Sequence, residues 1–215
     1  MTTGPPRRRR AAAIALAVFG SATTALAALT QAVLHTDRVA RWDRASDSWF
    51  YAHETPAGDR LAVLVSFLGL PGAWIVGVVV GLVLVWMRQW LLLGGWVVAL
   101  GGGGLLELGL KAAIDRARPP YGTTLLHGHS SSFPSGHAMA ACVCYVMLAY
   151  VMTQLVALDR SRVVMVYAAA GLIIAAVSFS RLYLALHYPS DVLAGLLAAA
   201  AWLALCIGGM QWAKR

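Results

Sequence analysis

Charged residues are scarce in this sequence. Asp, Glu, Lys and Arg together make up 12% of the 215 residues, and 60% of the residues are hydrophobic. A soluble domain carries about 25% charged residues, which help to cover its surface. The shortage therefore argues against a soluble globular domain and favours a protein that lies in a membrane.

Lysine is nearly absent, although the formal net charge is +8. The lysines are Lys111 and Lys214, and the other basic residues are arginines, four of which form the run Arg7 to Arg10. In a soluble protein, such a basic surplus would suggest nucleic-acid binding. Here we attribute it to membrane topology and to anionic lipid or phosphate partners, and we expect no nucleic-acid partner.

Cysteine occurs three times, an odd number, and each cysteine lies in an apolar stretch. A disulfide framework needs paired cysteines, and thiolate ligands for a metal need polar surroundings. We therefore expect Cys142, Cys144 and Cys206 to be packing residues inside the protein.

Long apolar segments, in contrast, are abundant. A helix needs about 20 mostly apolar residues to cross a bilayer, and six segments meet this criterion. They predict an all-α, polytopic membrane helix bundle with about six transmembrane helices. The segments lie at about residues 11–34, 61–87, 90–110, 137–158, 163–183 and 191–212.

The first apolar segment has a second interpretation. A basic run followed by an apolar stretch and by Ala25-Leu26-Ala27 also resembles a secretory signal peptide. The stretch is longer than the apolar region of about 7–15 residues that is typical of such a peptide. We therefore favour an uncleaved first span, with a basic cytoplasmic N-terminus at residues 1–10 and a single transmembrane domain at residues 11–215.

The flanking charges favour one orientation, in which the N- and C-termini are cytoplasmic. The very short, basic connections at Arg88 and at Arg160 and Arg162 are then cytoplasmic too, as basic loops usually are. All six histidines fall on the outer side or at outer helix ends. A bias toward alanine, glycine, valine and arginine hints at a GC-rich bacterium, so we expect the inner (plasma) membrane.

The segment at about residues 35–60 is too polar to be a span. It interleaves charged residues with aromatic residues such as Trp42 and Trp49, which suits a helix lying at the membrane interface. A solvated loop with aromatic anchors explains the same composition equally well. Both interpretations remain open, and Pro56 and Gly58 are expected to end the segment.

Three polar clusters interrupt the apolar chain, at residues 111–119, 133–137 and 180–191. Under the six-span model, all three clusters lie at helix ends on the same side of the membrane. Ionisable residues near a membrane core are energetically costly and usually functional. The clusters supply three cations, two histidines and one carboxylate: Lys111, Arg118, Arg181, His137, His187 and Asp191.

This set of residues is suited to binding and attacking a phosphate group. Arginine and lysine side chains can hold the phosphate oxygens, and the N-terminus of a helix that begins at Gly136 adds a favourable dipole. His187 and Asp191 are four residues apart, which would place them on one helix face. An Asp–His pair fixes the imidazole tautomer and improves the other ring nitrogen as nucleophile or base, which leaves His137 to protonate the leaving group.

Taken together, the clusters resemble the signature of the type 2 phosphatidic acid phosphatase superfamily, which includes glucose-6-phosphatase and the vanadium haloperoxidases. The pattern K-x6-RP, then PSGH, then SR-x5-H-x3-D is matched without a departure. One short motif would be weak, whereas three in order with compatible spacing are strong. The matched residues are Lys111, Arg118, Pro119, Pro134, Ser135, Gly136, His137, Ser180, Arg181, His187 and Asp191.

The resemblance implies a membrane lipid phosphatase that needs no metal or other cofactor. It implies that His187 forms a phosphohistidine, that Asp191 orients His187 and that His137 is the general acid. It places the site near the outer membrane face. The residues it implies for holding the phosphate are Lys111, Arg118, Ser135, Gly136 and Arg181, with Pro134 and Ser180 in support.

Several polar residues outside this pattern need separate interpretation. His127 and His129 are expected in a polar loop over the pocket, although with His137 they also suggest a metal site. Asp115 and Arg116 are expected in the same solvated loop. Glu107 lies one turn before Lys111, so it either positions this lysine through an ion pair or is a protonated or lumen-facing carboxylate.

Three functions remain open at this point. The first is hydrolysis of a lipid phosphate, with a polyprenyl diphosphate ranked slightly ahead of phosphatidylglycerophosphate and phosphatidate by analogy with the family. The second is a phosphotransferase that passes the same phosphoryl group to an acceptor. The third is a non-catalytic lipid-binding or transport protein, which would not require both histidines and the aspartate. The oligomeric state is not legible in the sequence.

Overall fold

The computed structural model describes residues 5–121 and 131–213. Eight helices lie in these two ranges. Their bounds are α1 (Pro5–His35), α2 (Asp37–Ala52), α3 (Pro56–Phe67), α4 (Leu70–Trp86), α5 (Trp90–Ile114), α6 (Gly136–Leu155), α7 (Arg160–Tyr183) and α8 (Pro189–Ala213).

Six helical stretches within the described ranges are long and apolar enough to cross a membrane, which confirms the predicted all-α bundle. Their bounds lie within a few residues of the predicted ones. The cysteines are unpaired and pack within these stretches, as expected. The stretches are Arg9–His35, Pro56–Trp86, Trp90–Ile114, Gly136–Leu155, Arg160–Tyr183 and Pro189–Ala213.

The second stretch consists of two helices, because α3 ends at Phe67 and α4 begins at Leu70. The backbone N–H of Gly69 donates to the carbonyl oxygen of Ser66 at 2.9 Å, a tighter turn than in an α-helix. Tyr145 on α6 donates to the carbonyl oxygen of Leu68 at 2.7 Å, which satisfies a group that the break exposes. The break therefore lies against α6.

The spans α6 and α8 are the most deeply buried. Met139, Val143 and Met147 of α6 pack in one core with Trp96 of α5 and Leu203 of α8. The outward faces of α4, α5 and α7 carry exposed leucine, valine and isoleucine side chains. In a membrane protein these apolar faces contact lipid.

The helices α6 and α8 approach each other most closely where α6 begins. A Cβ atom at Gly195 would lie 2.7 Å from the carbonyl oxygen of Ser135, so glycine permits an approach that a side chain would block. In addition, α1 packs along α8. The close approach brings the third polar cluster against the second.

The segment between the first two spans forms a helix, α2, so the interpretation as a simple loop is wrong. The segment ends at Pro56, as expected, because Pro56 is the first residue of α3 and Gly58 lies in the first turn of that helix, which Thr55 caps. The acids Asp43 and Asp47 of α2 are buried, whereas Trp42 and Trp49 are exposed. The helix thus directs acids toward α7 and α8 and tryptophans away from the protein.

Candidate active site

The three polar clusters come together at one end of the bundle, as the six-span model predicted. Lys111 lies in the last turn of α5, and Gly136 is the first residue of α6. Arg181 lies in the last turn of α7, and Asp191 in the first turn of α8. Two backbone hydrogen bonds join the clusters, Ser132 N to Arg116 O at 2.8 Å and Ser135 N to Asp191 O at 2.9 Å.

The imidazole of His187 is held in one tautomer. Its Nδ1 lies 2.8 Å from the carbonyl oxygen of Ser132. Because a carbonyl oxygen only accepts hydrogen bonds, Nδ1 carries the proton and Nε2 carries the lone pair. The Nη1 atom of Arg118 lies 3.5 Å from Nε2. The ring nitrogen that carries the lone pair therefore faces a cation that can hold a phosphate.

The surroundings of His187 keep its ring neutral. Burial lowers its pKa to about 4, and the nearby charges of Arg181 and Arg118 act in the same direction, while Asp191 opposes them. A neutral imidazole is the form that can attack phosphorus. The site thus keeps this histidine neutral at neutral pH.

The turn before His187 is constrained as well. Ala185 has a left-handed φ of 48°, which is unfavourable for a residue with a Cβ atom. Its surroundings fix this conformation, because Leu184 and Leu186 are buried and the N–H of Leu186 donates to the carbonyl oxygen of Arg181 at 3.1 Å. The turn therefore fixes the direction in which the imidazole leaves the backbone.

Asp191 acts on His187 less directly than the sequence suggested. Its Oδ2 lies 3.7 Å from Nδ1 of His187, beyond hydrogen-bonding distance. The same oxygen accepts from the hydroxyl of Ser132 at 2.5 Å and from the N–H of Tyr188 at 2.9 Å. The difference arises because α8 begins at Pro189, so His187 is not one helical turn from Asp191. Ser132 links the two side chains.

Three groups that could contact a phosphate surround the imidazole. Arg118 donates to the carbonyl oxygen of Leu186 at 3.1 Å, and burial lowers its pKa without removing its charge. Arg181 is buried and donates to the hydroxyl of Ser66. The hydroxyl of Ser135 is buried and has no hydrogen-bond partner among residues 5–121 and 131–213. Such a buried donor is suited to a ligand oxygen.

The predicted ion pair between Glu107 and Lys111 is present, with 3.2 Å between Oε1 and Nζ. A Cβ atom at Gly136 would lie 2.2 Å from Oε1 of Glu107. Glycine therefore lets the start of α6 approach this carboxylate. The pair links the end of α5 to the segment that carries the second motif.

The remaining motif residues have varied surroundings. His137 is half-buried in the first turn of α6, and Pro134 is buried just before this helix. The hydroxyl of Ser180 donates to the carbonyl oxygen of Val177 within α7 at 2.7 Å. His127 and His129 lie outside the described residues. Within the described ranges, His, Cys, Asp and Glu form no group of three or more that could hold a metal ion.

The expectation that Arg116 is solvated is wrong. Its guanidinium donates to Asp191 at 2.5 Å and to Asp43 of α2 at 2.7 Å. Asp115, in contrast, is exposed and ends α5 with a left-handed φ of 41°. The sequence contained one indication that Arg116 faces the site. Arg116 is two residues before Arg118, and alternate residues of an extended segment lie on the same side.

The comparisons with known proteins agree with this geometry. A family model described as the PAP2 superfamily matches residues 90–215, more than half of the chain. Phosphatidylglycerophosphatase B of Bacillus subtilis (strain 168) is 39% identical over 99 residues, which are 46% of this chain and 48% of that protein. Lipid A 1-phosphatase of Rhizobium johnstonii is 38% identical over 111 residues, 47% of this chain and 41% of that protein. The matched regions span less than half of these curated relatives.

A solved structure is similar over nearly the whole chain. The first transmembrane PAP2 type phosphatidylglycerolphosphate phosphatase from Bacillus subtilis superposes with a TM-score of 0.83 at 29% identity, covering 92% of this chain and 98% of that chain. Together with six apolar helices, this similarity identifies an integral membrane protein. The family match confirms the resemblance that the three motifs predicted, and the chain belongs to the PAP2 superfamily.

Proposed function

We propose that the protein hydrolyses a membrane lipid phosphate through a phosphohistidine intermediate on His187. The observation that carries the proposal is the environment of this ring. Its Nδ1 donates to the carbonyl oxygen of Ser132, and its Nε2 lone pair faces Arg118. A buried, neutral imidazole whose free nitrogen faces a cation is arranged for attack on an anionic centre.

In the first half of the reaction, Nε2 of His187 attacks the phosphorus atom and forms a P–N bond. The bond between phosphorus and the leaving oxygen breaks, and its electron pair leaves with that oxygen. His137 donates a proton to the leaving oxygen. The product leaves as an alcohol, or as a lipid monophosphate when the substrate is a diphosphate.

In the second half, a water molecule attacks the phosphorus atom while His137, now unprotonated, removes a proton from the water. The P–N bond breaks, its electron pair returns to Nε2 of His187, and inorganic phosphate leaves. The phosphate oxygens are held by charge and by hydrogen bonds throughout. The groups proposed to hold them belong to Lys111, Arg118, Ser135, Gly136 and Arg181.

An apolar groove beside the site supports a lipid substrate. The groove lies between α4, α5 and α6, and Glu107 is among the residues that line it. Leu70 and Trp74 line it on one side and Met139 and Val143 on the other. An alkyl chain in this groove would lie next to the proposed phosphate-binding residues.

The substrate class follows from the family and from the names of relatives. Relatives are a phosphatidylglycerophosphatase and a lipid A 1-phosphatase, both of which act on phosphates borne by lipids. For this chain we propose phosphatidylglycerophosphate, a polyprenyl diphosphate or phosphatidate. We also propose that residues 11–215 form one catalytic domain, since α1 packs along α8.

We propose further that the site faces the outer side of a bacterial inner membrane. Arg9, Arg10, Arg88, Arg160 and Arg162 lie at the ends of spans opposite the site. Arginines are concentrated on the cytoplasmic side of membrane proteins. The N- and C-termini are then cytoplasmic.

Cysteine labelling tests this orientation. Asp115→Cys is at the site end of α5, and Gln89→Cys is at the opposite end of the same helix. In spheroplasts, a membrane-impermeant maleimide should label Asp115→Cys and not Gln89→Cys, with the parent protein as the background control. Labelling of Gln89→Cys alone would reverse the proposed orientation.

His187→Ala tests the chemistry. Phosphate release from phosphatidylglycerophosphate, polyprenyl diphosphate and phosphatidate in detergent should fall at least about a thousandfold, because the nucleophile is gone. The matched control is His53→Ala, whose histidine bonds to Trp49 away from the site, and it should retain activity. Vanadate, which mimics pentacoordinate phosphorus, should inhibit the unaltered protein.

Two conditions separate the alternatives in this assay. Phosphate release should not need an acceptor other than water, and it should persist in excess EDTA. A strict requirement for an added acceptor would instead indicate a phosphotransferase. Loss of activity with EDTA that a divalent ion restores would contradict a metal-free reaction, and equal release by His187→Ala would overturn the mechanism.

The pH dependence of kcat/KM reports the ionisation of His187 in the free protein. Because burial lowers its pKa to about 4, the ring stays neutral as the pH falls from neutrality and loses its lone pair only near pH 4. The acid decline of kcat/KM should therefore be centred near 4, after correction for the substrate's own phosphate ionisation. A decline centred near the ordinary imidazole pKa of about 6.5 would contradict this environment.

Glu107→Gln tests whether Glu107 positions Lys111. The substitution keeps the size of the side chain and removes its charge, so the lysine loses its partner at 3.2 Å. We expect KM for the lipid phosphate and the inhibition constant of vanadate to rise severalfold. The control is Asp159→Asn, which weakens the exposed pair with Arg162 at the other end of the bundle. Unchanged turnover and affinity in Glu107→Gln would remove Glu107 from the site.

A further inference from the structure

Arg116 is the centre of a buried ionic network beside the site. Its guanidinium donates to Oδ1 of Asp191 at 2.5 Å, to Oδ2 of Asp43 at 2.7 Å and to the hydroxyl of Ser190 at 2.7 Å. It also lies over the ring of Tyr188, 4.4 Å from the centroid. The network thus joins the segment after α5 to α2 and to the start of α8.

The two carboxylates of this network are almost completely enclosed. The side chains of Asp43 and Asp191 are 1% and 0% exposed, respectively. Burial by itself would lower the pKa of Arg116, but the two carboxylates raise it above its ordinary value. Buried carboxylates are costly unless they are paired, and the single guanidinium is shared between them. Its loss would leave two buried negative charges.

The backbone of Arg116 holds a second part of the site. Its N–H donates to the hydroxyl of Ser131 at 3.0 Å, and its carbonyl oxygen accepts from the N–H of Ser132 at 2.8 Å. Ser132 is the residue whose carbonyl oxygen holds Nδ1 of His187 and whose hydroxyl donates to Asp191. Arg116 therefore contacts both Asp191 and Ser132, the residue that connects Asp191 to His187.

The far end of the network is anchored by α2. Asp43 accepts from Ser190 twice, from its hydroxyl at 2.6 Å and from its N–H at 3.2 Å. Asp43 thus fixes the guanidinium of Arg116 and the residue next to Asp191 at the same time. Without this anchor, the guanidinium could rotate away from Asp191.

We propose that Arg116, anchored by Asp43, is a positioning residue for the nucleophile. It holds the Asp191 carboxylate on Ser132, and Ser132 in turn holds His187 with Nδ1 protonated and Nε2 directed at the phosphate site. The inference rests on the proposed function, since it assigns His187 as the nucleophile. Arg116 itself faces the two carboxylates and is not proposed to touch the substrate.

Four variants test this role: Arg116→Gln, Arg116→Lys, Asp43→Asn and the double variant Arg116→Gln/Asp43→Asn. Arg116→Lys keeps the charge but loses the planar fork that reaches two carboxylates. Asp43→Asn has the same shape as the parent side chain and keeps an oxygen that can accept from Ser190. It therefore still tests the network if Arg116→Gln does not fold. The control is Arg162→Gln, which removes an arginine from the exposed pair with Asp159.

The kinetic readout separates positioning from folding. The kcat is calculated from the concentration of folded, monodisperse protein. We expect the kcat of Arg116→Gln to fall about tenfold to a hundredfold, as for other residues that orient a reactive group. KM should stay within about twofold, because the phosphate-binding residues are unchanged. Arg116→Lys and Asp43→Asn should show smaller losses of kcat, and Arg162→Gln none. A lowered Tm with normal kcat in Arg116→Gln and Asp43→Asn would show a structural role only and overturn the proposal.

A second readout does not depend on turnover. Nitrogen NMR of histidine-labelled protein in detergent follows the tautomer and titration of His187. In Arg116→Gln, Asp191 is freed to approach the Nδ1–H of the imidazole, so the Nδ1–H tautomer should persist while the titration midpoint rises. The other ionisable groups that act on this ring are Arg118, Arg181 and His137, which the variants leave in place.

The two readouts distinguish failure of this inference from failure of the proposed function. If the unaltered protein releases no phosphate but the titration midpoint of His187 rises in Arg116→Gln and Asp43→Asn, the proposed function fails and the positioning role stands. If the unaltered protein is active and these variants keep both the titration midpoint of His187 and the kcat of the unaltered protein, the positioning role fails.

Discussion

The burial of the Asp191 carboxylate is the constraint on which the arrangement of this site depends. A buried carboxylate is tolerated only when its oxygens are hydrogen-bonded and its charge is paired. Oδ1 accepts from Arg116, and Oδ2 accepts from Ser132 and from the N–H of Tyr188. Arg116 follows α5, Ser132 precedes α6 and Tyr188 precedes α8. The hydrogen bonds to this one carboxylate therefore require these three segments to meet. The same guanidinium also reaches α2, because it donates to Asp43 as well as to Asp191.

The membrane-spanning bundle sets the positions of the helix ends that carry this polar cluster. Alternating spans place the end of α5, the start of α6, the end of α7 and the start of α8 at one level. Close packing of α8 on α6 at Gly195 then sets the distance between the second and third motifs. A chain with 12% charged residues thus concentrates paired charges at one end of an apolar scaffold. The scaffold fixes their positions mainly through apolar side chains, whose packing is rigid.

The sequence predicted those features that have a local signature. The spans follow from apolar length, the gathering of the three motifs follows from the alternation of the spans, and the Glu107–Lys111 pair follows from its spacing of four residues. The Arg116–Asp43 pair could not be predicted, because its members are 73 residues apart and the sequence of α2 does not show which face meets the protein. The bond from His187 to Ser132 was also missed. Its acceptor is a backbone carbonyl oxygen, a group that every residue carries, so no side chain marks it.

The cations of the site have two effects that cannot be separated. Arg118 and Arg181 are the groups proposed to hold phosphate oxygens, and their charges also favour the neutral form of His187 and lower its pKa. Without these charges, burial alone would oppose Asp191, whose carboxylate favours the protonated ring. Arg116 pairs with Oδ1 of Asp191, and its Oδ2, which accepts from Ser132, lies 3.7 Å from Nδ1 of His187. A direct bond between the carboxylate and the imidazole would raise the basicity of the ring, whereas a link through Ser132 fixes the tautomer and leaves the ring neutral.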